Sequence, residues 1–307
     1  MHGANGVGAA QRRMSSVTAD AADLAAHDRR RLFAIASILT AVAIWGLQFV
    51  MIRLAVTTSL TAVDIMFLRY AFSLPVMIPI LWRYGWRNGA GLGWGRAAIL
   101  TILGGGPMLM LSNLGLQFAP ANHASCLQPG TVAVCSTLFL MATGAARRTW
   151  IIPAALVVAA AGLALVAMGG VGAVGVEPLT PVGDALFMAS GVCWALYTIL
   201  LVRWKASPLI MTALGAVISL AMMPLFFAGF PSKLLIAPFS EIMLHGLFQG
   251  VINYTFAFLL WAYAAQALGP VRMGYFAPLI PVSGVLCAIP ILGEWPATLE
   301  NPSKVRK

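Results

Sequence analysis

Apolar runs about 20 residues long, separated by short polar clusters, fill the chain from residue 32 to residue 292. A helix needs about 20 residues at 1.5 Å each to cross a ~30 Å hydrocarbon core. Backbone groups in lipid must satisfy one another, which leaves helices or closed barrels. These runs are continuous, whereas barrel strands alternate, so the pattern selects helices. It predicts nine membrane helices at 32–56, 65–82, 97–118, 121–141, 150–172, 183–202, 209–230, 242–264 and 271–292. Two apolar runs meet across a very short turn, Ala119 to Asn122, and Pro129 interrupts the second of them.

Composition agrees with this reading. Of 307 residues, 60% are hydrophobic and 9% charged, against about 45–50% and 25% in soluble domains. The net charge of +10 raises the question of a nucleic-acid partner. The placement of the basic residues answers it. With the N-terminus inside, thirteen Lys and Arg lie in the tail and inner loops and four lie outside, while Arg53 and Arg69 stand within helices. That is the positive-inside bias of an oriented membrane protein. No nucleic acid is expected, and the N-terminus is placed in the cytoplasm with the chain in the cytoplasmic (inner) membrane. Cys126, Cys135, Cys193 and Cys287 all fall in apolar segments without CxxC spacing, so buried free thiols are expected. Residues 1–31 are polar and lack the apolar core of a cleavable signal, and read as a flexible cytoplasmic tail.

A constant shift of 149 positions aligns Trp45 with Trp194, Pro75 with Pro224, Gln117 with Gln266, Pro129 with Pro278 and Gly144 with Gly293. The shift superposes the helices as well, which marks an internal repeat. Five helices per copy is an odd number, so the second copy is expected to be inverted, a construction common in secondary transporters. The halves are placed at 32–172 and 183–293, with a polar C-terminal tail at 294–307.

The residues Trp45-Gly46, Phe49 and Arg53, Leu68-Arg69 to Pro75, Gly115-Leu116-Gln117-Phe118 to Pro129, and Ala262-Tyr263 to Pro278 with Gly293-Glu294 resemble the EamA branch of the drug/metabolite transporter superfamily. The resemblance implies ten helices around a central cavity. Two departures stand out. Gly144 is followed by Ala145 where an acid is usual, and no apolar run follows Glu294, so the tenth helix is missing from the expected fold. A natural nine-helix product, a frameshifted end and a truncated sequence all fit that pattern.

Polar residues within apolar runs face a bundle interior or a cavity. Asn113 and Gln117 share a face of the third helix, and His245, Gln249 and Asn253 form one stripe on the eighth. Such stripes line a cavity or hold helices together by hydrogen bonds. Trp45, beside Gln48 on the first helix, with Trp194, Tyr197, Tyr254 and Tyr275 are candidates for an aromatic wall suited to a flat or cationic solute, and equally for lipid-facing or packing positions. The candidate contacts are Trp45, Gln48, Asn113, Gln117, Gln128, Trp194, Tyr197, Gln249, Asn253 and Tyr275. Pro129 and Pro278 are candidate helix breaks, freeing carbonyls for a solute or acting only as kinks. Gly104-Gly105-Gly106-Pro107 is a further weak point.

Arg53, Asp64, Arg69, His123 and Asp184 fall toward the outer end. They read as an outer gate or as side chains reaching for the interface. No carboxylate lies at mid-depth, which leaves His123 and His245 as the groups suited to proton coupling. HExxH, GxSxG and a facing acidic pair are all lacking, so an enzyme is not expected. No cofactor and no metal are expected.

The function that the resemblance implies is secondary transport, outward in direction, of a small organic metabolite or drug-like solute. A non-transporting or truncated paralogue acting as a partner subunit is the alternative. The partners expected are that solute and the lipid bilayer, with a homodimer through the small-residue face of the fifth helix.

Overall fold

The structure is a computed structural model describing residues 4–143, 150–169, 178–268, 276 and 278–293. Among these residues the chain is predominantly helical and contains no strand. The helices are α1 (Ala4–Thr58), α2 (Ala62–Tyr84), α3 (Trp94–Gly104), α4 (Gly106–Phe118), α5 (Ala121–Ala142), α6 (Ile151–Gly169), α7 (Thr180–Arg203), α8 (Pro208–Ala221), α9 (Met223–Gly229), α10 (Phe239–Leu268) and α11 (Leu279–Leu292). Five stretches are long and apolar enough to cross a membrane: Arg29–Thr58, α2, Trp94–Phe118, α7 and α10. The number becomes six if α8 and α9, bent by 46° at their junction, form one span. Of the remaining predicted segments, 121–141 falls on α5, 150–172 overlaps α6, and 271–292 overlaps the shorter α11, with 170–172, 271–275 and 277 outside the described residues.

The N-terminal segment differs from expectation. α1 is one 55-residue helix, so helix occupies most of the stretch read as a flexible tail. That stretch is rich in alanine, the strongest helix former, and lacks proline. The expected C-terminal tail, 294–307, lies outside the described residues.

α1 runs through the middle of the bundle, packing on α11 and α10, and α5 and α4 pack on α7 in the same way. α2 is held between α8 and α10. Close contacts are made where side chains vanish. A Cβ on Gly46 of α1 would meet Ser283 Oγ and, at 2.6 Å, the backbone nitrogen of Gly284 in α11. A Cβ on Gly250 of α10 would come within 2.8 Å of the Arg69 carbonyl of α2. Apolar cores form on both sides of α2, one around Phe49, Leu116 and Phe187, the other around Tyr70, Leu100 and Leu214. α6 packs on α5 and leaves Val157, Val158 and Leu165 exposed.

Two irregularities mark the bundle. Between α3 and α4 the chain breaks at Gly105, and the freed N–H of Gly106 donates to Ser219 Oγ of α8 at 2.9 Å. Pro107 in the first turn of α4 has no N–H to place. In α10, residues Leu247–Ala257 are π-helical, and Thr255 Oγ donates to the carbonyl of Gly250 five residues back. Pro129 is accommodated inside α5, whereas Pro278 stands at the N-cap of α11.

Candidate functional site

The π-helical segment of α10 meets α1 and α2 at a buried polar cluster. Arg69 of α2 donates from Nη2 to Gln249 Oε1 at 2.6 Å and to Gln48 Oε1 at 3.0 Å. Asn253 Nδ2 donates to the same two oxygens, at 2.7 Å to Gln48 and 3.0 Å to Gln249. The orientation of the amides follows from chemistry. A guanidinium has only donors, so the atoms facing it are oxygens, and the Asn253 atom facing those oxygens is a nitrogen. Gln249 and Asn253 are almost fully buried and Arg69 is 8% exposed, while Gln48 is the partly exposed member. Gly246 and Gly250 allow α10 to approach Phe72 and the Arg69 backbone closely enough for this contact.

Depth follows from helix geometry. Gln48 precedes the end of α1 by ten positions, and Gln249 follows the start of α10 by ten. Each is therefore about 15 Å from its helix end at 1.5 Å per residue. Those ends lie together, since Ser232 and Lys233, just before α10, bind Asp64 near the start of α2.

The other expected site residues are distributed around this cluster. Trp45, one turn from Gln48 on α1, packs against Trp261 of α10 at 4.8 Å between centroids, the rings tilted by 43°. Tyr254 donates to the Thr212 carbonyl at 2.8 Å and meets Tyr70 edge-on at 5.5 Å. Trp194 is half-buried on α7, and the Tyr197 ring rests on Gly104 beside the Gly105 break. Tyr275 lies outside the described residues. Asn113 donates to the Ala62 carbonyl at 3.1 Å, tying α4 to the start of α2, and Gln117 is half-buried. Gln128 donates to Ser190 Oγ at 2.7 Å and accepts from Ser112 at 3.2 Å, so its amide joins α5, α7 and α4.

The residues expected at an outer gate divide among separate roles. Asp64 completes a capping box with Thr61 and accepts from Ser232 Oγ at 2.6 Å and Lys233 N–H at 2.9 Å, which fastens the loop before α10. His123 Nδ1 and Asp184 Oδ1 are 2.9 Å apart across α5 and α7. Arg53 donates to the carbonyls of Leu116 and Gln117 at 2.8 and 3.2 Å, where α4 ends. Arg69 belongs instead to the central cluster. Its long stem carries the guanidinium from a backbone position about 10 Å along α2 toward mid-depth. His245 is buried with Nε2 3.4 Å from Glu241 Oε2, an ion-pair distance without hydrogen-bond geometry. The four cysteines are free and half-buried.

The family model described as the EamA-like transporter family matches the chain twice, over residues 32–168 and 181–300. The chain belongs to the EamA-like transporter family. A protein of Archaeoglobus fulgidus named "Uncharacterized transporter" is 25% identical over 262 residues, covering 82% of this chain and 87% of that one. This EamA-like protein is therefore a multi-pass membrane transporter, and its central cluster draws on both matched stretches. Gln48 and Arg69 come from the first, and Gln249 and Asn253 from the second.

Sequence reasoning about this EamA-like chain missed Trp261, Ser190, Ser112 and Ser219 as partners of functional or breaking segments. Small hydroxyls are common in membrane helices, and nothing in their spacing separates these from others.

Proposed function

We propose that the protein is a secondary transporter that exports a small organic solute by alternating access, with its site at the Gln48–Arg69–Gln249–Asn253 cluster. The observation that carries this reading is a hydrogen-bonded polar cluster inside the bundle, built from three helices of the two family-matched halves. Trp45 and Trp261 flank it on one side. Trp194 and Tyr197 contribute the corresponding face of the other half, with Asn113, Gln117 and Gln128 lining or bracing the path. Pro129, Pro278 and the Gly105 break supply weak points about which the halves rock.

The reading includes inverted repeats with nine membrane helices. The shift of 149 that aligns Trp45 with Trp194 also carries the Gly105 break onto Tyr254, inside the π-helical segment. Thus each half has its irregular segment at the same repeat position, as transporters with a broken helix in each half do. A cytoplasmic N-terminus and inner-membrane location are supported by the basic residues. Arg96 lies over the Trp204 ring at 5.5 Å, placing two basic loops at one end of the bundle, while Asp64, Lys233 and the α1–α2 turn share the other. Arg53, Asp64, His123 and Asp184 then hold the outer end together.

The test compares solutes released by cells producing the wild-type protein and the Asn253→Leu variant at equal membrane abundance. At least one small organic solute should accumulate outside only with the wild type. Identical extracellular profiles would overturn the reading.

A further inference from the structure

The cluster carries an unbalanced demand for hydrogen-bond acceptors. Its two inward-facing carbonyl oxygens, Gln48 Oε1 and Gln249 Oε1, are each already shared by Arg69 and Asn253. What remains is donors. Arg69 Nε and Gln249 Nε2 are both buried without a partner among the described residues. Arg69 makes its two hydrogen bonds from one terminal nitrogen, Nη2, and no described carboxylate pairs with it. The nearest acid on its own helix, Asp64, is taken up by Thr61, Ser232 and Lys233. Asp184 is paired with His123, and Glu241 faces His245.

A guanidinium buried in a membrane protein normally has a counter-charge or a full set of acceptors. Here it has a positive charge, two orphaned N–H donors and a partly exposed neighbour, Gln48. Guanidinium and amide N–H groups arranged together match a carboxylate, which accepts two or more hydrogen bonds and supplies the missing charge. The indole of Trp45, one turn from Gln48, packs against that of Trp261 at 4.8 Å between centroids and offers an apolar surface to the body of such a ligand.

We infer that the solute is a small organic carboxylate that docks its oxyanion on Arg69 and Gln249, with Trp45 beside its apolar part. This assignment rests on the transporter reading above and names its substrate class. It runs against the cationic solute that an aromatic wall alone suggests.

The test uses the full chain in nanodiscs of phosphatidylcholine, which lacks net charge. Thermal unfolding is followed with benzoate, acetate or inorganic phosphate against chloride at equal ionic strength, and with benzamide as the uncharged control. Benzoate should raise the midpoint saturably by about 2–4 °C, and benzamide should not. Gln249→Glu supplies an internal carboxylate to Arg69 without changing shape. This variant should melt above the wild type without ligand and lose the benzoate response. Arg69→Lys, which keeps the charge but not the planar fork, should weaken the response at least tenfold in half-saturating concentration. The assignment is overturned if no oxyanion exceeds chloride, if Gln249→Glu responds like the wild type, or if stabilisation appears only when phosphatidylglycerol is added. That last result would assign the site to a lipid headgroup. Phosphate acting without benzoate would likewise replace the carboxylate. Binding is read without flux: benzoate stabilisation with no solute export would refute transport alone, and export with no oxyanion response would refute this assignment alone.

Discussion

Ser219→Ala tests how the broken helix at Gly105 is held. Ser219 is fully buried, and its Oγ accepts the N–H of Gly106 at 2.9 Å. Gly106 opens α4, so this N–H has no carbonyl one turn earlier to bond. Alanine removes the acceptor and leaves the donor in an apolar interior that water does not readily enter. An orphaned buried donor costs about 1–3 kcal/mol, beyond a typical net hydrogen bond of about 0.5–1.5 kcal/mol. Ser73 gives the matched control. It is equally buried, but its hydroxyl donates to the Tyr70 carbonyl within α2, so Ser73→Ala removes a donor and orphans no N–H. Its cost should stay below about 1 kcal/mol. The assay is reversible unfolding of the purified chain in mixed micelles under increasing denaturing detergent, read by tryptophan fluorescence. Ser219→Ala should lower the folding constant about 5- to 150-fold, clearly more than Ser73→Ala. Equal losses in the two variants would refute the account of the break.

The crossing of α1 and α11 gives a second prediction. Gly46→Ala must push the Gly284 backbone away from a 2.6 Å approach, so it should destabilise by about 1–3 kcal/mol in the same assay. A neutral result would show that the crossing is looser than described. The His123–Asp184 pair, largely buried at 12% and 6% side-chain exposure, should show a coupling of about 0.5–3 kcal/mol in a double-mutant cycle of His123→Ala and Asp184→Asn. Additive single effects would mean that the pair does not fasten α5 to α7. Trp194→Ala should abolish solute export while leaving membrane abundance unchanged; an unchanged export rate removes Trp194 from the site.

Hydropathy made the helices legible, because each lipid-crossing run must be long and apolar. The turn at Ala119–Pro120 was legible for the same reason, as was the stripe His245–Gln249–Asn253, whose buried face carries half of the central cluster. The Gly104–Pro107 weak point was visible as composition and became a helix break. Less could be read where several helices meet. Arg69 looked peripheral because its backbone position was counted along α2, while the side chain reaches inward to partners on α1 and α10. The π-helical segment was hidden because its residues keep an apolar pattern close to that of an α-helix. It coincides with the tight packing of Gly246 and Gly250 on Phe72, a contact between distant segments. The equivalence expected of Pro129 and Pro278 was read from the shift alone, and their helical surroundings differ.

The central claim is that the Gln48–Arg69–Gln249–Asn253 cluster is a single site reached from either side of the membrane in turn. The most direct measurement places a cysteine there by Gln48→Cys, with Cys126, Cys135, Cys193 and Cys287 replaced by serine. A membrane-impermeant maleimide is then applied to right-side-out and inside-out vesicles. Alternating access predicts labelling from both faces, with the two rates shifting in opposite directions when benzoate is added. Labelling from one face only, or from neither, would contradict it.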